Sequence, residues 1–216
     1  VQLRCGNASY EIAALSAADF PELPEVEEEN SVSLPRRTLR EMISQTSFAV
    51  STNESRPVHT GALFEVGEEG LTVVAVDGFR LALRREPLEH ADGYFSFVVP
   101  GSALNEVEKI CGESDELAEI LPGGRHIQFQ IGPTLLICRR LEGEFLNYKA
   151  AIPRNNPIAL VADCKSLTES LERVSVVISE KLKSPVRCVF QQNQVLLYAK
   201  TGNGEASDLC PLEGDG

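Results

Sequence analysis

The chain repeats itself. Residues 38–52, TLREMISQTSFAVST, align with residues 166–180, SLTESLERVSVVISE, at an offset of 128 positions. That offset pairs Leu39 with Leu167, Glu41 with Glu169, Ile43 with Leu171, Ser47 with Ser175 and Pro57 with Pro185. It then shortens to 124, pairing Leu71–Ala75 with Val195–Ala199, Gly78 with Gly202, and Pro87-Leu-Glu89 with Pro211-Leu-Glu213. A four-residue deletion around Gly67–Gly70 explains the step. The repeating unit is therefore a domain of roughly 125 residues, an ordinary domain size. Ala17-Ala-Asp-Phe-Pro21 matches Glu142-Gly-Glu-Phe-Leu146, which closes the complete copy. Residues 1–23 thus read as the tail of an earlier copy, 24–148 as a whole copy and 149–216 as the first half of another.

Within the whole copy, Ser31–Leu34 reads as a strand and Pro35 suits the first turn of a helix. Leu39, Met42, Ile43 and Thr46 fall at i, i+3, i+4 and i+7, one inward helix face. Phe48–Ser51, Gly61–Glu65, Leu71–Val76, Leu81–Arg84 and Tyr94–Val99 are strand-like. Pro100 opens a second helix with Leu104, Val107, Ile110 and Cys111 inward. Strands at 120–121, 127–131 and 135–139 follow, the turn signal Pro122-Gly-Gly124 lying between the first two. Strand, helix and several strands occur twice, so each domain is itself a pseudo-duplicate. The class is α+β with antiparallel sheets. Glu25–Asn30, a run of charge behind Pro24, reads as an exposed linker.

Twenty basic against 32 acidic residues give a net charge of −12, which argues against a basic nucleic-acid coat. No apolar run is long enough to span a membrane. The first 15 residues lack a signal-peptide layout, and the Asn7 and Asn53 glycosylation tripeptides read as chance matches. The six cysteines show no C-x-x-C spacing; they read as buried free thiols of a reducing cytosol, with no metal site and no cofactor. His59, His90 and His126 fall in no catalytic motif, and Gly202-Asn-Gly204 is a turn rather than a dinucleotide fingerprint.

The runs Asp19-Phe-Pro21, Phe48–Ser51, Arg56-Pro57, Gly61–Phe64, Phe145-Leu-Asn-Tyr148 and Ile152-Pro153 resemble the β subunit of bacterial DNA polymerase III, the sliding-clamp family. The most specific match is Ala75-Val-Asp-Gly-Phe-Arg-Leu-Ala82. The resemblance covers essentially the whole chain. It implies the DNA-clamp fold: tandem domains, each with two helices packed on antiparallel sheets. Residues 1–23 would end clamp domain one, 24–148 would be domain two, and 149–216 the first half of domain three.

The family implies a cytoplasmic, non-enzymatic processivity factor of DNA replication. Two full-length subunits join head to tail and encircle duplex DNA without reading sequence. The ring tethers the polymerase III catalytic subunit, and a groove between domains two and three takes short peptides of polymerase, clamp loader and repair proteins. On this chain the groove falls at His59, Val76, Gly78, Phe79, Arg80, Leu81, Leu146, Ala150 and Ala151. Arg80 would hold a partner's carbonyl or carboxylate, and Gly78 would allow close backbone approach. Val76 stands where Thr is common, Phe79 where His or Tyr is usual, Leu146 for Pro and Ala150 for Arg, so this groove is greasier and less basic.

The DNA-facing set is Arg36, Arg37 and Arg40 on the first helix, Lys109 on the second, and Lys165, Arg173, Lys181 and Lys183 in domain three. These would attract phosphates loosely. Glu106 and Glu108 outnumber Lys109, so the second helix should add little attraction. The alternatives are a stand-alone peptide-binding module of clamp-like fold without ring function, and a hydrolase on a duplicated α+β domain.

Overall fold

The structure is a computed structural model that describes residues 1–26, 30–88, 93–179 and 184–213. The chain divides into two compact units, Val1–Tyr148 and Lys149–Gly216.

The first unit begins with a hairpin, β1 (Gln2–Cys5) and β2 (Ala8–Glu11), whose residues are all exposed. There follow β3 (Val32–Pro35), α1 (Arg36–Ser44), β4 (Gly61–Gly67), β5 (Gly70–Val76) and β6 (Leu81–Glu86). The pattern then recurs as β7 (Phe95–Pro100), α2 (Gly101–Cys111), β8 (Leu117–Pro122), β9 (His126–Ile131) and β10 (Thr134–Arg139).

The two halves exchange their first strands. The sheets run β6-β5-β4-β7 and β10-β9-β8-β3, antiparallel throughout. Thus β7 of the second half pairs with β4 (Phe64 opposite Phe97), and β3 of the first pairs with β8 (Val32 opposite Ile120). Neither half completes a four-stranded sheet alone.

Local chemistry sets these elements. Pro35 leaves α1 without a side-chain cap, but Arg36 N donates to Glu116 O and Arg37 N to Ser114 O, both at 2.9 Å. The 114–116 segment therefore satisfies two of the N–H groups a helix start leaves open. At the other end the buried Thr46 hydroxyl donates to Met42 O at 2.7 Å. Helix α2 stops at Gly112, whose φ of +63° favours glycine.

Strand β5 is buried along its whole length, which explains an apolar run in place of alternation. Leu71, Val73 and Ala75 enter the main core with Leu39, Met42, Ile43, Leu104, Val107 and Phe129. Val74 points to the opposite face, where Val58, Leu63, Val98 and Tyr148 form a second, smaller core.

Two sequence expectations change. Phe48–Ser51 is not a strand: Ser47–Ala49 forms a 3-10 turn held by Ala49 N to Thr46 O and Val50 N to Ser47 O, each 3.0 Å. Phe48 is exposed beside a buried Ala49, so the apolar letters mark a tight corner rather than a sheet face. Nor are the cysteines uniformly buried. Cys111 and Cys210 are, but Cys5, Cys164 and Cys188 are exposed on a bare hairpin, a helix start and an outer strand. Burial pushes the Cys111 and Cys138 thiols up to about 11.

The second unit starts within α3, the single turn Tyr148–Ala151, and contains α4 (Cys164–Ser175), β11 (Arg187–Gln191), β12 (Gln194–Thr201) and β13 (Gly204–Pro211). Asp163 caps α4 by accepting from Ser166 N at 2.8 Å. The sheet order is β11-β12-β13. Val195, Leu197 and Ala199 of β12 face the core with Val174 and Cys210, the positions that repeat Leu71, Val73 and Ala75 of β5. Strand β11, which overlaps the repeat of β4, has no fourth strand beside it among the described residues. Val161 instead pairs with Glu213 as an isolated antiparallel bridge.

Candidate functional site

The turn that joins β5 to β6 is built around one carboxylate. Asp77 Oδ1 accepts from the backbone N–H of Phe79 and of Arg80, both at 3.1 Å, and Oδ2 accepts from Arg80 Nε at 2.9 Å. The Phe79 amide and then the Arg80 guanidinium and amide hold the Asp77 carboxyl below its usual range. Gly78 has φ +90° and open space where a Cβ would stand. Phe79 is fully exposed at the tip, an apolar ring held out by a hydrogen-bonded turn. The Arg80 guanidinium lies 5.6 Å from the centroid of the exposed Phe48 ring.

Val76 is buried at the end of β5, and Leu81 packs half-buried against the smaller core with Phe145 and Leu141. His59 stands on the 3-10 turn Pro57–Thr60 and meets Phe145 edge to face at 5.4 Å. Burial, then the nearby Arg56, lowers the His59 pKa. His59 and Leu146 line one depression of about 480 Å³ with Arg56, Pro57, Val58 and Phe145. Ala150 and Ala151 are exposed on α3, in the second unit. Arg56 and Phe145 were absent from the sequence-derived set; Phe145 is the signal that could have been used, since it sits beside Leu146 in the matched run.

Carboxylates accompany every described cation of the DNA-facing set. On α1, Arg36 pairs with Glu116 at 2.7 Å, Arg37 with Asp115 at 3.4 Å, and Arg40 with Glu113. Arg37 also donates to Glu113 O at 3.2 Å. Arg36 is largely buried, and its Nε has no hydrogen-bond partner. Lys109 pairs with Glu106 at 2.8 Å, Lys165 with Glu169 at 3.9 Å, and Arg173 with Asp208 at 2.7 Å. Lys181 and Lys183 lie outside the described residues, as does His90. Three arginines on one helix face thus meet three acidic side chains from the segment after α2, and the local charge is close to neutral. The exposed pairs of Arg37 and Arg40 are worth about 0–1 kcal/mol each.

Among the described residues no three His, Cys, Asp or Glu side chains gather to hold a metal ion. Nor is any described helix long and apolar enough to cross a membrane.

The central-domain family of the DNA polymerase III beta subunit matches residues 33–147, more than half of the chain. The beta sliding clamp of Halalkalibacterium halodurans is 36% identical over 214 residues, covering 97% of this chain and 54% of that protein. The Bacillus subtilis beta sliding clamp is 31% identical over 186 residues, 86% of this chain and 49% of its own length. The chain therefore spans about half the length of these relatives. Among solved structures, the Bacillus subtilis DNA polymerase sliding clamp superposes with a TM-score of 0.86 at 28% identity, covering 99% of this chain and 58% of that one. A Pseudomonas aeruginosa sliding clamp bound to griselimycin gives 0.89 at 26% identity, covering 100% and 58%. The repeated α+β architecture and the Asp77–Arg80 turn lie within a chain that belongs to the beta sliding clamp family of DNA polymerase III.

Proposed function

We propose that this chain is the central part of a DNA sliding clamp, a non-catalytic subunit that keeps a replicative polymerase on duplex DNA. The observation that carries this reading is the match of the entire chain to clamp structures that are themselves longer, at TM-scores of 0.86 and 0.89. The internal repeat supports the same division: residues 1–23 close domain one, 24–148 form domain two, and 149–216 begin domain three. The stand-alone peptide-module reading is not favoured, because relatives matched over 86–97% of this chain bear the clamp name.

In this reading α1, α2 and α4 face the DNA. Arg36, Arg37, Arg40, Lys109, Lys165 and Arg173 are the cations whose ion pairs keep the attraction loose enough for sliding, and Lys181 and Lys183 belong to the same proposed set by their place in the sequence. Partner peptides anchor apolar side chains along His59, Val76, Gly78, Phe79, Arg80, Leu81, Leu146, Ala150 and Ala151. The griselimycin-bound clamp supports a ligand-taking surface in a relative. Two full-length subunits would close head to tail, in the cytoplasm.

The test is retention on nicked circular DNA. A chain extended to the length of its relatives should stay on circles through gel filtration and leave when they are linearised; the 216-residue chain should not stay. Loss of the extended chain from intact circles would overturn the clamp reading.

A further inference from the structure

We infer that Arg125, Arg139 and Arg140 form a phosphodiester-binding patch through which the Val1–Tyr148 unit contacts duplex DNA. The inference rests on the clamp reading above and adds residues that neither the sequence pattern nor the α1 face supplied.

The basis is where free positive charge resides. In the described part of this unit, Arg36, Arg37, Arg40, Arg80, Arg84, Arg85 and Lys109 all sit within ion-pair distance of a carboxylate, while Arg4 on the exposed hairpin and Arg56, which shares a lining with Glu142 and Glu144, are unpaired but belong to no cluster of cations. Arg125, Arg139 and Arg140 do not pair with any described carboxylate, and they occur together. Arg139 lies opposite His126 in the β9–β10 ladder. Arg140 N donates to Arg125 O at 3.0 Å, and Arg140 Nη1 to Gly123 O at 3.4 Å. The turn at 123–125 and the end of β10 are therefore one corner, carrying three guanidinium groups.

Arg139 and Arg140 also line an open depression of about 490 Å³ with Pro100, Ser102 and Ala103 at the start of α2. Glu142 is the single acidic residue in that lining. The one cation of α2, Lys109, is already paired with Glu106, so the positive surface beside this helix comes from the strand end. In a chain of net charge −12 such a concentration is a local reversal of sign. Guanidinium groups donate in a planar fork that fits phosphate oxygens two at a time, and each phosphate neutralised releases counterions. Among the lining side chains Glu142 is the one carboxylate and the Ser102 hydroxyl can donate as well as accept, so donors predominate, which suits a run of phosphates. A peptide would bring its own N–H groups needing acceptors.

The test compares the 216-residue chain with R139Q/R140Q and with R4Q/R187Q, by anisotropy of a labelled 30-base-pair duplex across a salt series. Arg4 and Arg187 are exposed, have no described ion pair and lie on β1 and β11, so the second variant removes the same charge elsewhere. R139Q/R140Q should weaken binding at least about fivefold and lower the salt slope by roughly 2, since each phosphate contact contributes about 0.9. R4Q/R187Q should stay within about twofold, and circular dichroism should show both variants folded.

The proposal is overturned if R139Q/R140Q binds like the parent, if the loss appears in R37Q/R40Q instead, or if the parent shows no duplex binding at low salt. It is also overturned if poly-glutamate matches the duplex, which would assign the patch to acidic peptides, or if millimolar inorganic phosphate displaces the duplex, which would assign it to free phosphate. Circle retention by the extended chain is independent of these variants. A failed patch with retained circles leaves the clamp reading standing, and lost circles with intact patch binding overturns only that reading.

Discussion

The hydroxyl of Tyr148 donates to Glu65 Oε1 at 3.1 Å, joining the last residue of the first unit to the middle of β4. The Tyr148 ring is 3% exposed and fills the smaller core against Val58, Leu63, Val74 and Val98. Tyr148→Phe removes the hydrogen bond and keeps the ring, and should cost about 0.5–1.5 kcal/mol. Tyr148→Ala also empties the cavity and should cost about 3 kcal/mol or more. Urea denaturation of the two variants measures both, and equal losses would show that the ring contributes nothing.

Two glycines with left-handed backbones should respond differently to alanine. A Cβ on Gly70 (φ +99°) would stand 2.1 Å from Glu86 O, a backbone atom that can move only with β6. A Cβ on Gly78 (φ +90°) meets nothing within 4 Å. Gly78→Ala should cost about 1–2 kcal/mol, from backbone strain alone. Gly70→Ala should cost clearly more, and a smaller loss at position 70 than at 78 would contradict the steric account. Thermal melts of the pair decide it.

His59 should make stability pH-dependent. Burial, with Arg56 nearby, lowers its folded pKa below the ordinary 6.5. Protons therefore favour the unfolded chain. The neutral ring's contribution is whole above pH 6.5 and is lost as pH falls through the lowered folded value. His59→Gln should flatten the decline in melting temperature between pH 7 and 5. An identical decline in parent and variant would remove His59 from the account.

Peptide affinity should depend on chain length. In the proposed groove, Phe79 and Leu146 are exposed apolar side chains. A short peptide with aliphatic and aromatic side chains should bind the 216-residue chain weakly and an extended chain more tightly, by fluorescence polarisation. Phe79→Ala should weaken both. Equal affinities for the two chains would sink this expectation.

Much of the fold was legible because it is local. The i, i+3, i+4 face of α1 is fully buried at Leu39, Met42 and Ile43, and Thr46, just past the helix end, is buried with it. The repeat offset placed α4 and β12 at once, since each side chain inherits its partner's inward position. Phe48 failed because an apolar residue in a 3-10 corner and one in a strand look alike over four residues. The neutralised arginines of α1 were illegible for a different reason: Glu113, Asp115 and Glu116 lie more than 70 positions away and arrive only through tertiary docking. Free charge at Arg125, Arg139 and Arg140 was hidden in the same way, since an ion pair is a property of two distant segments.

The exchange of β3 and β7 has a consequence for biosynthesis. β3 leaves the ribosome before its partner strand β8, which begins roughly 80 residues later, about 4–16 s at ordinary translation rates. In that interval Val32 and Leu34 lack their neighbour strand, and α1 lacks the 114–116 carbonyls that cap it. The nascent first half is therefore a bait for chaperones, and slow codons placed before position 117 would lengthen its exposure.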